Sequence, residues 1–253
     1  MLSQIAKDNL EKDEKVLGRE WLKTYNNYFS DEENIQIFIK SVKPFLPNKE
    51  LKILYVGSAS GLLGEKLVDS LCKGELTLVD ISQKHLDQNK NDKTRKICCD
   101  LLNMDLHEKF DLIIMRSSLD YFSSEKLQVT VLEIIKNHLE KDGLFINQPA
   151  YVSSLKDRDI LSEIYNETEK IGNRYFQSAD LDSIYRKAGL DKFKKIGAGK
   201  DLLLTEKEHI ERYKIDKEDI DKIQKIIGKD SDSAQETEHG YILKFEFPIF
   251  LAS

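Results

Sequence analysis

Leu51-Lys52-Ile53-Leu54-Tyr55-Val56-Gly57-Ser58-Ala59-Ser60-Gly61 is the stretch on which the reading of this chain turns. A short apolar run of strand type ends abruptly in a turn of small residues, and Leu62 to Leu71 resumes at helical spacing. The same alternation continues downstream. Leu76–Asp80 reads as a second strand and residues 82–91 as a helix. Residues 96–100 form a third strand, Phe110–Met115 a fourth, 125–139 a helix, and Leu144–Asn147 a fifth strand after Asp142-Gly143. Helices over 156–171 and 178–188 lead to a strand near Phe193–Ile196. The aromatic run Tyr241–Leu251 reads as one closing strand. Apolar strands alternating with helices predict an α/β fold, a doubly wound Rossmann-like sheet covered on both faces. The sheet is expected to be mostly parallel, with the C-terminal strand antiparallel.

Outward from that core, residues 4–46 read as helical, with Ser30-Asp31-Glu32-Glu33 as a cap and acidic first turn, closed by Pro44 and Pro47. The expected organisation is an N-terminal helical cap over 1–48 on an α/β domain spanning 49–253. That domain carries a helical insertion at about 199–240, several-fold longer than an ordinary loop.

The chain has 253 residues, 39 basic and 45 acidic, for a formal net charge of −6. Without a basic excess, nucleic acid is not an expected partner. The first twenty residues lack the apolar core of a signal peptide, and no run reaches a membrane span. A cytoplasmic protein with no membrane partner is therefore expected. Three cysteines, Cys72 and the adjacent Cys98 and Cys99, form neither a disulfide framework nor a metal pair. They are read as small buried thiols, and no metal is expected. Only seven arginines are present (19, 95, 116, 158, 174, 186 and 212). Arg116, just after the fourth strand, stands out as an anion clamp or cofactor contact, because its fork binds anions in two-pronged fashion as lysine does not.

In an open parallel sheet the ligand lies beyond the carboxyl ends of the strands. A turn of small residues there lets backbone N–H groups approach a ligand, and the helix that follows favours negative charge. Asp80 ends the second strand, placed for two ribose hydroxyls. Asp100 ends the third, placed for an adenine amino group. This ordered set resembles the class I S-adenosylmethionine-dependent methyltransferases over about residues 50–150. Their first motif, acidic-x-Gly-x-Gly-x-Gly, reads here from Tyr55 through Gly57, Ser58, Ala59 and Gly61, with Tyr55 for the acid and Ala59 for the middle glycine. Asp80 with Ile81, and Asp100 with Leu101, match the ribose and adenine motifs. Phe110 to Tyr121 resembles the fourth strand and its active-site loop.

The resemblance implies S-adenosylmethionine as cofactor, S-adenosylhomocysteine as product, and methyl transfer at O or N of a small-molecule acceptor. Such a displacement relies on positioning, with a base needed only for a protonated acceptor. Asp120, Tyr121 and His239, the last just before the closing strand, are the candidate bases. Tyr151 after the fifth strand, with Tyr25 and Tyr28, is expected to contact substrate. Trp21, Tyr25, Tyr28 and Phe29 are placed to form a lid.

Two other readings compete. One is a binding or partner protein that keeps the fold without the chemistry, favoured by Tyr55 and Ala59. The other is a nicotinamide-dependent oxidoreductase, which would need Tyr213 and Lys217 beside the cofactor. Asn147-Gln148-Pro149-Ala150-Tyr151 echoes an Asn-Pro-Pro-Tyr motif but follows the wrong strand. Gly197-Ala198-Gly199-Lys200 is too short for a phosphate loop.

Overall fold

The computed structural model describes residues 2–16, 27–168, 172–227 and 231–253. The strands of the main sheet are β1 (Lys52–Val56), β2 (Glu75–Asp80), β3 (Arg95–Cys98), β4 (Phe110–Arg116), β5 (Leu139–Gln148), β6 (Phe193–Ala198) and β10 (Pro248–Ala252). They stand in the order β3-β2-β1-β4-β5-β10-β6. The β1–β2, β1–β4, β2–β3 and β4–β5 pairs are parallel, and β10 runs antiparallel to both β5 and β6. This is the expected doubly wound sheet with one reversed strand.

Period-two alternation divides the core. Along β1, Ile53 and Tyr55 point into one apolar layer and Leu54 and Val56 into the other. The first layer is covered by helices α2 (Glu32–Val42) and α3 (Leu62–Leu71), through Ile35, Phe38, Leu63 and Leu67. The second is covered by α5 (Glu125–Asn137) and α7 (Leu181–Lys187), through Val131, Leu132, Ile184 and Tyr185. Asp31 caps α2 as expected, accepting the Asn34 N–H at 2.9 Å. An N-terminal helix, α1 (Gln4–Val16), precedes it.

Several boundaries differ from the sequence reading. The helix expected over 82–91 shrinks to α4 (Gln83–Leu86). Beyond it the Asn89 amide donates to the Ser60 carbonyl at 3.1 Å and to Glu65 at 2.8 Å, and Asn91 donates to the same carboxylate. These side-chain bonds compete with continuation of the helix. The closing run is two strands rather than one. Its first half, β9 (Gly240–Phe245), joins a separate antiparallel sheet with β7 (Leu202–Thr205) and β8 (Ala234–Thr237) in the order β7-β9-β8. The break falls at Glu246, whose backbone exchanges hydrogen bonds with Tyr151 at 2.8 and 2.9 Å, and at Pro248, which has no N–H.

Between β7 and β8 lie α8 (Glu206–Tyr213) and α9 (Lys217–Ile227), both within the segment 199–240 expected as a helical insertion. They pack with α6 (Leu155–Glu167) around a third apolar core that includes Leu204, Ile223, Leu243 and Phe245. Asp157 ties this region together by accepting from the Ser231 hydroxyl at 2.5 Å and the Asp232 and Ser233 N–H groups at 3.0 and 3.2 Å.

His209 sits fully buried in that third core, with Nδ1 2.7 Å from the Tyr241 hydroxyl and no partner for Nε2. Burial, assisted by nearby Arg212, pulls its pKa from 6.5 to about 3. The unfolded chain therefore binds one more proton than the folded chain between those two pH values. Stability accordingly falls as the pH drops below about 6.5, by up to about 1.4 kcal/mol per pH unit from this group. Urea unfolding from pH 7 to 4 should show this slope in the native protein and lose that share in His209→Gln. Equal slopes in the two proteins would count against a neutral buried imidazole.

Candidate functional site

The turn after β1 opens a cleft at the carboxyl ends of the strands. Gly57 has φ +60°, and a Cβ there would lie 2.4 Å from the Ser118 hydroxyl, so the loop after β4 presses against a bare backbone. Gly61, φ +78°, starts α3, and a Cβ there would meet the Leu78 side chain at 2.3 Å. Gly61 thus packs helix on strand and does not itself line the cleft. Ala59 takes φ +48°, a conformation that costs an L-residue free energy and a glycine almost none. Ala59→Gly should therefore raise stability by about 1 kcal/mol, a gain of about 2 °C in Tm for a chain this size. A lower Tm would show that the methyl is a packing contact.

Asp80 is buried at the end of β2. Its carboxylate accepts the Ala59 N–H at 2.8 Å and the Ser82 N–H at 2.9 Å, and His85 Nδ1 lies 3.5 Å away. The acid therefore holds the small-residue turn in shape as well as facing the cleft. Asp100 caps the short 3-10 turn Leu101–Asn103, accepting from Leu102 N–H at 3.0 Å and from the Asn103 amide at 2.8 Å. It also accepts the Ser3 N–H at 2.8 Å, which docks the start of α1 beside it. Ile5, Ala6 and Asn9 of α1 line the cleft in consequence.

Arg116, at the end of β4, is only 6 % exposed. One guanidinium nitrogen, Nη1, donates to the Phe29 carbonyl at 3.0 Å, and the Phe29 ring lies 5.1 Å from the guanidinium carbon. Nε and Nη2 have no partner. Burial lowers the Arg116 pKa, and burial raises that of neighbouring Tyr55 to about 12, so Tyr55 is a neutral phenol where the resemblance expects a carboxylate. A buried guanidinium with two open donors lining a cleft is an arrangement suited to an anion.

One cleft of about 1130 Å³, its open mouth included, gathers Tyr55, Gly57, Ser58, Ala59, Asp80, Ile81, Asp100, Leu101 and Arg116. Tyr121 lines it as well. Asp120 does not; it is buried behind Tyr121 in an adjoining cavity. The other candidates fall elsewhere. His239 lies exposed in the turn between β8 and β9, away from both cavities, because the run it precedes turns into the small sheet rather than toward the site. Tyr151 is taken up in backbone bridges to Gln177 and Glu246 and packs on Phe250 at 6.2 Å, lining neither cavity. Tyr28 is buried against Phe247, its hydroxyl donating to the Lys200 carbonyl. Tyr25 and Trp21 lie outside the described residues.

Sequence reasoning missed α1 and His85 as cleft residues, and Phe29 entered it only as part of a lid. Phe29 lines both cavities. Cys72 and Cys98 are exposed and Cys99 half-buried, contrary to the buried thiols expected. Tyr213 lines the adjoining cavity, but Lys217 lines neither, so the pair the oxidoreductase reading requires does not converge on the cleft. Among the described residues no cluster of His, Cys, Asp and Glu is arranged for a metal, and no helix is long and apolar enough to cross a membrane.

Comparison with known proteins agrees with this geometry. Residues 54–145 match a family model described as a methyltransferase domain. The malonyl-[acyl-carrier protein] O-methyltransferase of Priestia megaterium is 27 % identical over 119 residues, 45 % of this chain and 43 % of that protein. The chain thus aligns with less than half the length of that relative. In structure it is similar to the YcgJ protein of Bacillus subtilis, with a TM-score of 0.69, 13 % identity and coverage of 88 % of this chain and 98 % of that one. A putative methyltransferase from Bacillus halodurans gives 0.66, 13 % identity and 85 % and 96 % coverage. The plantazolicin methyltransferase BpumL, solved in complex with S-adenosylhomocysteine, gives 0.51, 16 % identity and 99 % coverage of both chains. Residues 54–145 thus match a methyltransferase domain, and the fold over most of the chain is the Rossmann-like fold of these structures.

Proposed function

We propose that the protein transfers a methyl group from S-adenosylmethionine to oxygen or nitrogen of a small-molecule acceptor. The observation that carries this reading is the buried Arg116 fork, with two open donors, in the same cleft as the Gly57 turn and the two strand-end aspartates.

The residues present fit the donor. Arg116 would take the methionine carboxylate in place of the water that a buried guanidinium lacks. Asp80 would accept from the ribose hydroxyls and Asp100 would face the adenine. Ile81, Leu101 and the α1 residues Ile5 and Ala6 supply apolar walls for a flat ring. When bound, the donor supplies an electrophilic methyl carbon on a sulfonium. The chain's part is then to exclude water and hold the acceptor in line, which accounts for much of the rate of such a displacement. Tyr121 and Phe29 stand between the cleft and the adjoining cavity, where an acceptor would enter. Asp120, its carboxyl pushed toward the neutral form by burial against the opposing pull of Arg174, is the residue we assign to proton handling for a protonated acceptor.

A cytoplasmic location and a small-molecule partner belong to this same reading, and the mild acidity of the chain disfavours nucleic acid as the acceptor. The test is to incubate the protein with S-adenosylmethionine deuterated at the methyl group and a small-molecule extract, and to follow the label by mass spectrometry. Labelled small molecules are expected. Label confined to protein or nucleic acid, or none at all, would refute the acceptor class.

A further inference from the structure

The cavity behind Tyr121 has a composition that the donor does not explain. It measures about 370 Å³, its open mouth included, and shares Phe29, Ser117 and Tyr121 with the donor cleft. Its other walls are largely aromatic, Phe176, Phe245 and Phe247 among them. Into this apolar space project two guanidinium groups, Arg174 and Arg212, and one carboxylate, Asp120, each no more than 6 % exposed. Among the described residues three arginines are buried at this depth, and two of them are here.

The group that matters is Arg174. Its Nη1 has no hydrogen-bond partner, and the nearest Asp120 oxygen, Oδ2, is 3.7 Å away, an ion pair too long to be a hydrogen bond. Asp120 Oδ1 is likewise without a partner. A guanidinium–carboxylate pair kept for stability closes to hydrogen-bonded, often two-pronged contact, because burial penalises every open donor. The Arg174 guanidinium carbon lies 3.1 Å from the centroid of the Tyr121 ring, so the group sits against the residue that separates the two cavities. Nη1, the donor so presented, has no acceptor among the described residues.

We propose that this cavity is the acceptor pocket and that it takes an aromatic or apolar small molecule carrying an anionic group, a carboxylate or a phosphate, anchored on Arg174. This deepens the methyltransferase reading and rests on it. Arg212 is the second cation of the lining, and the aromatic walls take the body of the acceptor. Arg174 acts as a binding residue and takes no part in bond making. Tyr121 and Ser117, common to both cavities, mark where the acceptor's reacting atom meets the donor.

The full chain saturated with S-adenosylhomocysteine is titrated with phenylacetate, phenyl phosphate and neutral phenylacetamide, by calorimetry and by shift in Tm. At least one anion is expected to bind saturably and about tenfold or more tighter than the amide, and which anion does so identifies the source of the charge. Arg174→Lys, which keeps a charge beside Asp120 but loses the fork, should weaken the anion about tenfold and leave S-adenosylhomocysteine affinity unchanged. Arg174→Met should abolish the preference for anion over amide. Equal binding of amide and anions, no saturable binding of either anion at millimolar concentration, or undiminished anion binding in both variants would overturn the proposal while leaving the donor reading intact. Failure of the native protein to bind S-adenosylhomocysteine would overturn both.

Discussion

Arg116→Met should weaken S-adenosylmethionine binding by roughly 100-fold and leave the protein as stable as before, or more so. The two effects have one cause. Arg116 is buried with Nε and Nη2 unpartnered, its Nη1 bonded to the Phe29 carbonyl at 3.0 Å and its guanidinium over the Phe29 ring. Such a group costs stability, since its desolvation is only partly repaid. Methionine fills much of the same volume without that penalty, while the lost bond to a backbone carbonyl is worth about 1 kcal/mol. With a carboxylate in the cleft, the open donors form charge-assisted bonds worth about 1.5–3 kcal/mol each, and these are what the variant loses. Calorimetry and a thermal melt on the same sample separate the terms. Unchanged affinity would remove Arg116 from the donor site. A large drop in Tm with little change in affinity would make it a structural residue of the Phe29 loop.

Asp80→Ala should behave differently, losing affinity and stability together. Its carboxylate carries two backbone N–H groups, from Ala59 and Ser82, and truncation leaves both without their acceptor. That alone costs about 1–3 kcal/mol of folding free energy. Loss of the bond to the ribose hydroxyls adds about 1.5–3 kcal/mol in affinity, roughly 10- to 150-fold. Asp80→Asn, which keeps one acceptor oxygen, should recover much of the stability and less of the affinity. Equal recovery of both would mean that Asp80 serves only to shape the turn.

The parts of this molecule legible in the sequence are those governed by local periodicity and by chain order. Ile53 to Val56 alternates between the two core layers, Gly57 follows where the backbone turns to positive φ, and Asp80 and Asp100 end successive parallel strands. Topology then brings them to one edge of the sheet. What was not legible depends on contacts between distant segments. Ser3 meets Asp100 across 97 positions through a backbone N–H, which leaves no mark on side-chain pattern. The run Tyr241–Leu251 has one continuous alternation, yet Tyr151 captures Glu246 and Pro248 withholds a donor, so the chain changes sheets midway and carries His239 out to an exposed turn. Arg174 and Arg212 carried the one available signal, the scarcity of arginine. Their burial beside Asp120 comes from the packing of α8 and the segment after α6, not from their neighbours in sequence.

Tyr55 and Ala59, the two departures from the methyltransferase motif, have physical counterparts that keep the cleft usable. Tyr55 is a neutral buried phenol, so the anion-binding capacity of Arg116 is not spent on a neighbouring acid. Ala59 adopts the backbone conformation of a glycine and still delivers its N–H to Asp80 at 2.8 Å. Both features favour a cleft that binds its donor over one that has lost it.

The most direct test of the central claim is calorimetric titration of the unmodified protein with S-adenosylhomocysteine and, separately, with NAD and NADP. A single saturable site for S-adenosylhomocysteine, and none for either dinucleotide, is the predicted result. Binding of a dinucleotide in its place, or no binding of S-adenosylhomocysteine, would contradict it.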